Sequence, residues 1–289
     1  MKASRSLFVD VRGLRYHCRC WGEARAPKLF LLHGWMDVSA SFQFLVDALQ
    51  GDWHVIAPDW RGFGLTDRSG ADSYWFPDYL ADLDRLLEHF SSDSPVRLVG
   101  HSMGGNVVCL YAGARPQRVA KLVNLEGFGL VSNTPDNAPK RFARWLVELG
   151  GSRSLRPYES YDALAARLMK NNPRLPAERA RFLAEHWGET LPDGQVRLRA
   201  DPAHKVINPV PYRLEEAKAC WRAIRAPVLW VDGAQSESRN HLHITDEDYA
   251  ARKACFANIE SHVLDGAGHM LHHDQPERLA AVVEGFLRR

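Results

Sequence analysis

The segment Gly100-His101-Ser102-Met103-Gly104-Gly105 sets a serine between glycines two residues away on either side. An apolar run, Val96–Val99, precedes it, and the helix-compatible stretch Asn106–Ala114 follows. Strand, tight turn and helix form the context in which a G-x-S-x-G serine serves as a nucleophile. The turn holds the hydroxyl exposed, and neighbours without side chains let strand and helix come close. The new helix also directs its first N–H groups at the site, which favours a developing oxyanion. A glycine-rich β–α turn can alternatively grip a phosphate. No lysine follows as in a P-loop, however, and no G-x-G-x-x-G is present. Acyl transfer to Ser102 is the chemistry these residues support.

Acyl transfer needs two backbone donors for the oxyanion. The N–H of Met103 supplies one, and the other is expected from Trp35 in Leu31-Leu32-His33-Gly34-Trp35-Met36-Asp37, at the end of a second apolar strand. His33 reads as structural, holding this loop through its ring nitrogens. His241 and His243 are spaced like strand-borne metal ligands, but no Cys or carboxylate completes a set, so they read as a solvated loop. No cofactor and no metal are expected.

These groups need a scaffold, and the sequence alternates short apolar runs with helix-period segments. Leu7–Val11 and Tyr16–Trp21 flank Arg12-Gly13 as a hairpin; Leu29–Leu32, Val55–Ala57, Leu98–Val99, Leu122–Leu125, Val228–Val231 and His262–Leu264 read as buried strands. Stripes at Phe42/Leu45/Val46/Leu49, Leu80/Leu83/Leu87/Phe90 and Leu279/Val282/Val283/Phe286 give the helices between them. A doubly wound α/β sheet with helices on both faces follows. The alternation stops over 130–224, where stripes such as Phe142/Trp145/Leu146/Leu149 and Ala180/Leu183/Ala184/Trp187 predict a helical cap inserted after the sixth strand. The α/β core is then 1–129 and 225–289.

Composition excludes several classes. Thirty-seven Lys and Arg against 35 Asp and Glu leave a charge of +2, which gives no reason to invoke nucleic acid or an anionic membrane. The apolar Leu7-Phe8-Val9 is broken by Asp10, too short for a signal peptide or a membrane span. Five cysteines without framework spacing, with Cys18 and Cys20 on one face of a strand, read as reduced thiols of a cytoplasmic protein.

In order, "HGW", "DWRGFGLTD", "GHSMGG" and "GAGHMLHHDQPE" closely resemble the α/β-hydrolase fold family, and most nearly its esterase and serine hydrolase-like branch. The resemblance implies the α/β-hydrolase fold, with a mainly parallel eight-stranded sheet under a helical cap. It implies His269 as the catalytic histidine, and the position of His269 after a strand and far from Ser102 agrees with a triad assembled in space. It implies an acid three residues after the glycine ending the seventh strand, where this chain has Ser236. Two carboxylates are open to that role. Glu126, ending the sixth strand as in haloalkane dehalogenase-like members, is preferred; Glu237, one residue beyond the usual place, is the alternative. Asp232 is expected to face away, Asp59 and Arg61 to brace loops, and His272 and His273 to be exposed residues at a helix start.

Hydrolysis of a small carboxylic ester through an acyl-enzyme is the expected function, with Phe128, Trp145, Trp187 and Trp221 as candidate pocket residues. C–C bond hydrolysis, amide cleavage or acyl transfer with the same triad is the alternative. Epoxide hydrolase and haloalkane dehalogenase are disfavoured, since the resembling enzymes of those types carry Asp where Ser102 stands. A ligand receptor with residual hydrolysis is the alternative of another class. The partner expected is a small ester-like molecule, for a monomer or homodimer.

Overall fold

In the computed structural model, which describes residues 1–289, the apolar runs become the strands of one eight-stranded sheet. Strands β1 (Ser4–Val11) and β2 (Leu14–Trp21) form the antiparallel hairpin, turned at Arg12-Gly13 with both φ angles positive (51° and 80°). There follow β3 (Lys28–Leu32), α1 (Gln43–Ala48), β4 (His54–Pro58), α2 (Phe76–Phe90), β5 (Val96–His101), α3 (Met103–Ala114) and β6 (Val119–Leu125). Next come α4 (Ala138–Gly150), α5 (Tyr161–Asn171), α6 (Ala177–Trp187), β7 (Gly188–Thr190), β8 (Val196–Leu198) and α7 (Leu214–Ala223). The chain closes with β9 (Val228–Gly233), α8 (Ser238–His241), α9 (Asp246–Lys253), β10 (Ile259–Leu264), α10 (Leu271–Asp274) and α11 (Pro276–Arg288).

The spatial order is β1-β2-β4-β3-β5-β6-β9-β10, parallel from β4 through β10. The chain runs from β3 outward to β4 and then crosses back over β3 to β5. The loops leaving β3 and β5 therefore open a crevice at the carboxyl ends of adjacent strands, where open α/β sheets hold ligands. This crossing brings Trp35 and Ser102 together from distant parts of the sequence.

Both faces of the inner strands β3 to β6 and β9 are buried, which is why they read as continuous apolar runs; β10, expected to be buried at His262–Leu264, is instead an edge strand that leaves Val263 57% exposed. Phe30, Leu98, Leu122 and Trp230 pack on one side with Leu83, Val107 and Trp221 of α2, α3 and α7. Leu31, Val99, Val123 and Val231 pack on the other with Leu45 of α1 and Leu279 and Val283 of α11. Between β6 and β9, α5 and α6 share a small core, Leu164, Leu168, Leu183 and Ala184, into which Phe44 projects. This stretch also contains the antiparallel pair β7–β8, which the all-helical reading omitted. Three-residue strands are too short to show alternation, although Asp193-Gly194, with Gly194 at φ 83°, was a turn signal. Helix α4 buries none of its residues, and its stripe leaves Leu146 61% and Val147 75% exposed.

The loop after β4 is braced by buried charge. The Arg61 guanidinium donates to both oxygens of Asp82 at 2.5 and 2.6 Å, and Tyr16 Oη donates to the same carboxylate. Asp59 accepts from Ser39 N–H at 2.6 Å and Leu65 N–H at 2.9 Å, and pairs with His17 Nδ1 at 2.7 Å. Removing one partner of such a buried pair leaves the other charge uncompensated. Asp82→Asn should lower the unfolding free energy by about 3 kcal/mol in urea titration; a loss under about 1 kcal/mol would mean that Arg61 rehydrates or relies on Asp78.

Candidate active site

Ser102 stands at φ 51°, ψ −114°, a backbone region that side-chain-bearing residues avoid. Its N–H donates to the Leu125 carbonyl at 2.8 Å, and its carbonyl accepts from Asn106 N–H at 3.0 Å, so both adjoining peptides are held. The flanking glycines are required by contact. A Cβ on Gly100 would lie 2.4 Å from the Gly104 carbonyl oxygen, and one on Gly104 would lie 2.1 Å from that of Leu32. Met103 is the first residue of α3, where N–H groups lack intrahelical acceptors.

His33 is buried and ties loops together. Its Nε2 accepts from Trp60 N–H at 2.9 Å, so Nδ1 carries the proton and donates to the Gly34 carbonyl at 2.7 Å. Burial lowers its pKa to about 4, so the ring stays neutral.

His269 Nδ1 lies 3.1 Å from Glu126 Oε2, and the Glu126 side chain is 1% exposed. Glu126 Oε1 accepts from Gly233 N–H at 2.8 Å, while Oε2 accepts from the Ser236 hydroxyl at 2.5 Å. Ser236, standing where an acid was expected, is thus a donor to the carboxylate that reaches in from β6. Glu126 itself adopts φ 57°, and its N–H donates to the Val231 carbonyl at 3.1 Å. Glu237 is exposed and makes no hydrogen bond to His269. Asp232 points elsewhere, accepting from Trp230 Nε1 at 2.9 Å and Tyr249 Oη at 2.5 Å. An imidazole held by a buried carboxylate at Nδ1 has Nε2 left to exchange a proton with a hydroxyl.

Ser102 and His269 line one cavity of about 220 Å³, together with Trp35, Asp37, His101 and Trp187. A larger cavity of about 740 Å³ also reaches Trp35 and continues past Met103 to Trp75, Leu110, Leu130 and Tyr212. Trp35, 52% exposed, borders both. Of the aromatic residues expected to line a pocket, Trp187 does so, with Nε1 donating to Ser41 Oγ at 3.1 Å. Phe128 and Trp221 instead lie in the sheet's core, against Tyr249 and Phe256, because α7 packs on α3. Trp145, half-buried on α4, borders neither cavity. The Tyr74-Trp75-Phe76 run, which does line the large cavity, was the aromatic signal in the sequence that pointed there.

His272 and His273 are not exposed. The short α10 turns them inward, where His272 lies 5.1 Å from the Phe42 ring and His273 6.1 Å from that of Phe44. Burial lowers the His273 pKa to about 3.

The alpha/beta hydrolase fold family model matches residues 27–276, and the chain belongs to that family. A serine hydrolase-like protein of Danio rerio is 26% identical over 93% of this chain and 83% of its own length. Serine hydrolase-like protein 2 of Homo sapiens is 25% identical over 93% of this chain and 90% of its own. Among solved structures, the thioesterase domain from the curacin biosynthetic pathway superposes with a TM-score of 0.88 at 23% identity, covering 98% of this chain and 99% of that one, a likeness of fold. Hydrolysis is accordingly the class of chemistry to which the chain belongs. No helix is long and apolar enough to cross a membrane.

The choice of acid is testable with isosteric changes. Glu126→Gln keeps volume but removes the charge facing His269, and should cut kcat by about three orders of magnitude with little change in KM, by analogy with the serine-protease Asp→Asn example. Glu237→Gln should keep near-full activity. The reverse outcome would move the acid to the loop after β9.

Proposed function

We propose that this hydrolase cleaves a carboxylic ester through an acyl-enzyme on Ser102. The observation that carries the reading is the His269–Glu126 contact at 3.1 Å, made at the wall of the cavity that Ser102 also lines. His269 accepts the Ser102 proton as Oγ attacks the acyl carbon, and Glu126 stabilises the imidazolium and fixes its tautomer. The N–H groups of Trp35 and Met103 take the charge that develops on the carbonyl oxygen. His269 then returns the proton to the departing alcohol, and a water molecule activated the same way releases the acid. Every proton passes through one imidazole.

The acyl group enters the larger cavity. Its lining is mostly apolar, and its volume of about 740 Å³ suits a medium-length or bulky apolar chain better than an acetyl group. Each methylene buried there contributes about 0.8 kcal/mol. Across p-nitrophenyl esters from acetate to octanoate, kcat/KM should rise by at least about tenfold. A monotonic fall along the series would assign the acyl group to the smaller cavity.

Ser102→Ala removes a hydroxyl that contributes little to packing. Steady-state hydrolysis should fall by about four orders of magnitude or more, fluorophosphonate labelling should vanish, and the unfolding midpoint should stay where it is. Labelling of the variant at the wild-type rate would remove Ser102 from the mechanism. Multiple turnovers by the unmodified protein separate an enzyme from a receptor that turns over once.

A further inference from the structure

Behind the nucleophile turn, the small cavity continues between Asp37, on the loop after β3, and His101, at the end of β5. His272 of α10 closes the group, and all three residues are buried. One donor atom from each converges: a carboxylate oxygen of Asp37 and one ring nitrogen each of His101 and His272 lie within 4.8 Å of one another, and Asp37 Oδ2 and His101 Nδ1 are the atoms of the first two that other contacts leave free. Asp37 Oδ2 is 4.0 Å from His272 Nε2. None of these atoms has a hydrogen-bond partner in the protein, and neither has the other His272 nitrogen. Buried polar atoms are rarely left so, and here they point at a shared centre.

The surroundings set each group up as a ligand. His101 Nε2 donates to the His269 carbonyl at 2.8 Å, which leaves the lone pair on Nδ1 facing the centre. Gly34 keeps that lone pair accessible, since a Cβ there would come within 3.1 Å of Nδ1. Asp37 Oδ1 is occupied by Val38 N–H at 2.7 Å and by the Ser41 hydroxyl, so Oδ2 alone is offered. Two imidazoles and one carboxylate suit a divalent first-row transition metal rather than magnesium or calcium.

We propose that Asp37, His101 and His272 form a binding site for one divalent transition-metal ion such as Zn²⁺, directly beneath the Ser102 turn. Ligand bonds of about 2.0–2.2 Å in a tetrahedral site put donor atoms about 3.4 Å apart, so the edges of the triangle must shorten by about 0.6 to 1.4 Å when the ion binds. Asp37 and His101 line the cavity that also holds Ser102, and the ion would approach the three buried donor atoms from that side.

Occupancy should be inhibitory. The His101 and His269 rings lie 4.8 Å apart, and one net positive charge beside His101 opposes the imidazolium that His269 must become. This consequence rests on His269 being the base, whereas binding itself does not.

Calorimetric titration of the full chain with Zn²⁺ alone should give one ion per chain, reversed by EDTA. Co²⁺ should give visible d–d bands of a four- or five-coordinate nitrogen–oxygen site. His272→Phe and Asp37→Asn should each weaken Zn²⁺ at least tenfold, and ester hydrolysis, where present, should lose its Zn²⁺ sensitivity in step. Affinity unchanged in both variants, or no stoichiometric binding, would overturn the site. Should either variant fail to fold, an anomalous-scattering peak in Zn²⁺-soaked wild-type crystals decides. A peak between Asp37, His101 and His272 upholds the proposal, and a peak only elsewhere, such as at His269 and Glu126, ends it. A chain that binds the ion but hydrolyses no ester keeps the site and loses the function proposed above.

Discussion

A serine at φ 51° sits in a conformation that costs of order 1–3 kcal/mol, and the active crevice hangs on keeping it there. The strain persists because the chain around it has no room to relax. At Gly100 and Gly104 the backbones of β5, α3 and β3 approach closer than any side chain permits. Relaxing Ser102 would move the start of α3, and α3 is packed on the sheet through Val107, Val108 and Tyr111. The hydrophobic effect, acting along a helix, thereby fixes the direction of one hydroxyl.

The carboxylate that faces His269 shows how the strand order decides which side chain reaches the imidazole. Glu126 at the end of β6 reaches the His269 imidazole beside the loop after β9 because those two strands are neighbours in the sheet. Glu126 is longer than aspartate by one methylene and starts one strand further in. Burying it removes the screening that would weaken its hold on His269, but a buried carboxylate must have its oxygens satisfied. Gly233 N–H, Ser236 Oγ and His269 Nδ1 do this, two of the three from the end of β9 and the loop after it, whose own carboxylate, Glu237, is exposed. Ser236 reads as a loss in the sequence and as a donor in the fold.

The inner strands and the Ser102 turn are legible in the sequence because both are local: an apolar run buried on two faces, and a glycine pattern enforced by backbone contact. His33 is legible for the same reason, as its partners lie on adjoining loops. The choice between Glu126 and Glu237 is not local. It depends on strand order and on which way one φ angle turns. The misplaced aromatics fail differently: Trp221 lies on a helix with a proper apolar stripe, but periodicity cannot say whether that stripe meets the sheet or a cavity. The buried pair His272 and His273 defeats a composition rule, since polar residues at a helix start are ordinarily solvated.

The segment after β6 is held unevenly, and the unevenness is functional in form. Asp274, its side chain fully buried, accepts from Asn172 Nδ2 at 2.7 Å, Arg174 Nε at 2.9 Å and Gly268 N–H at 2.8 Å. One carboxylate thus joins the end of α5 to the residue before His269. Arg179 of α6 adds a bond to the His273 carbonyl at 2.6 Å. These helices cannot shift without disturbing the loop that positions the imidazole, so the small cavity has a rigid roof. On the other side α4 buries no residue, leaves Leu146 and Val147 in solvent, and touches the large cavity through Arg141. Polar ties hold it instead, Arg141 Nε donating to the Asn208 carbonyl and Ile207 N–H to Glu148 Oε2, each at 2.6 Å. The segment is thus cross-linked to the loop of His269 on one side and lightly packed beside the apolar cavity on the other.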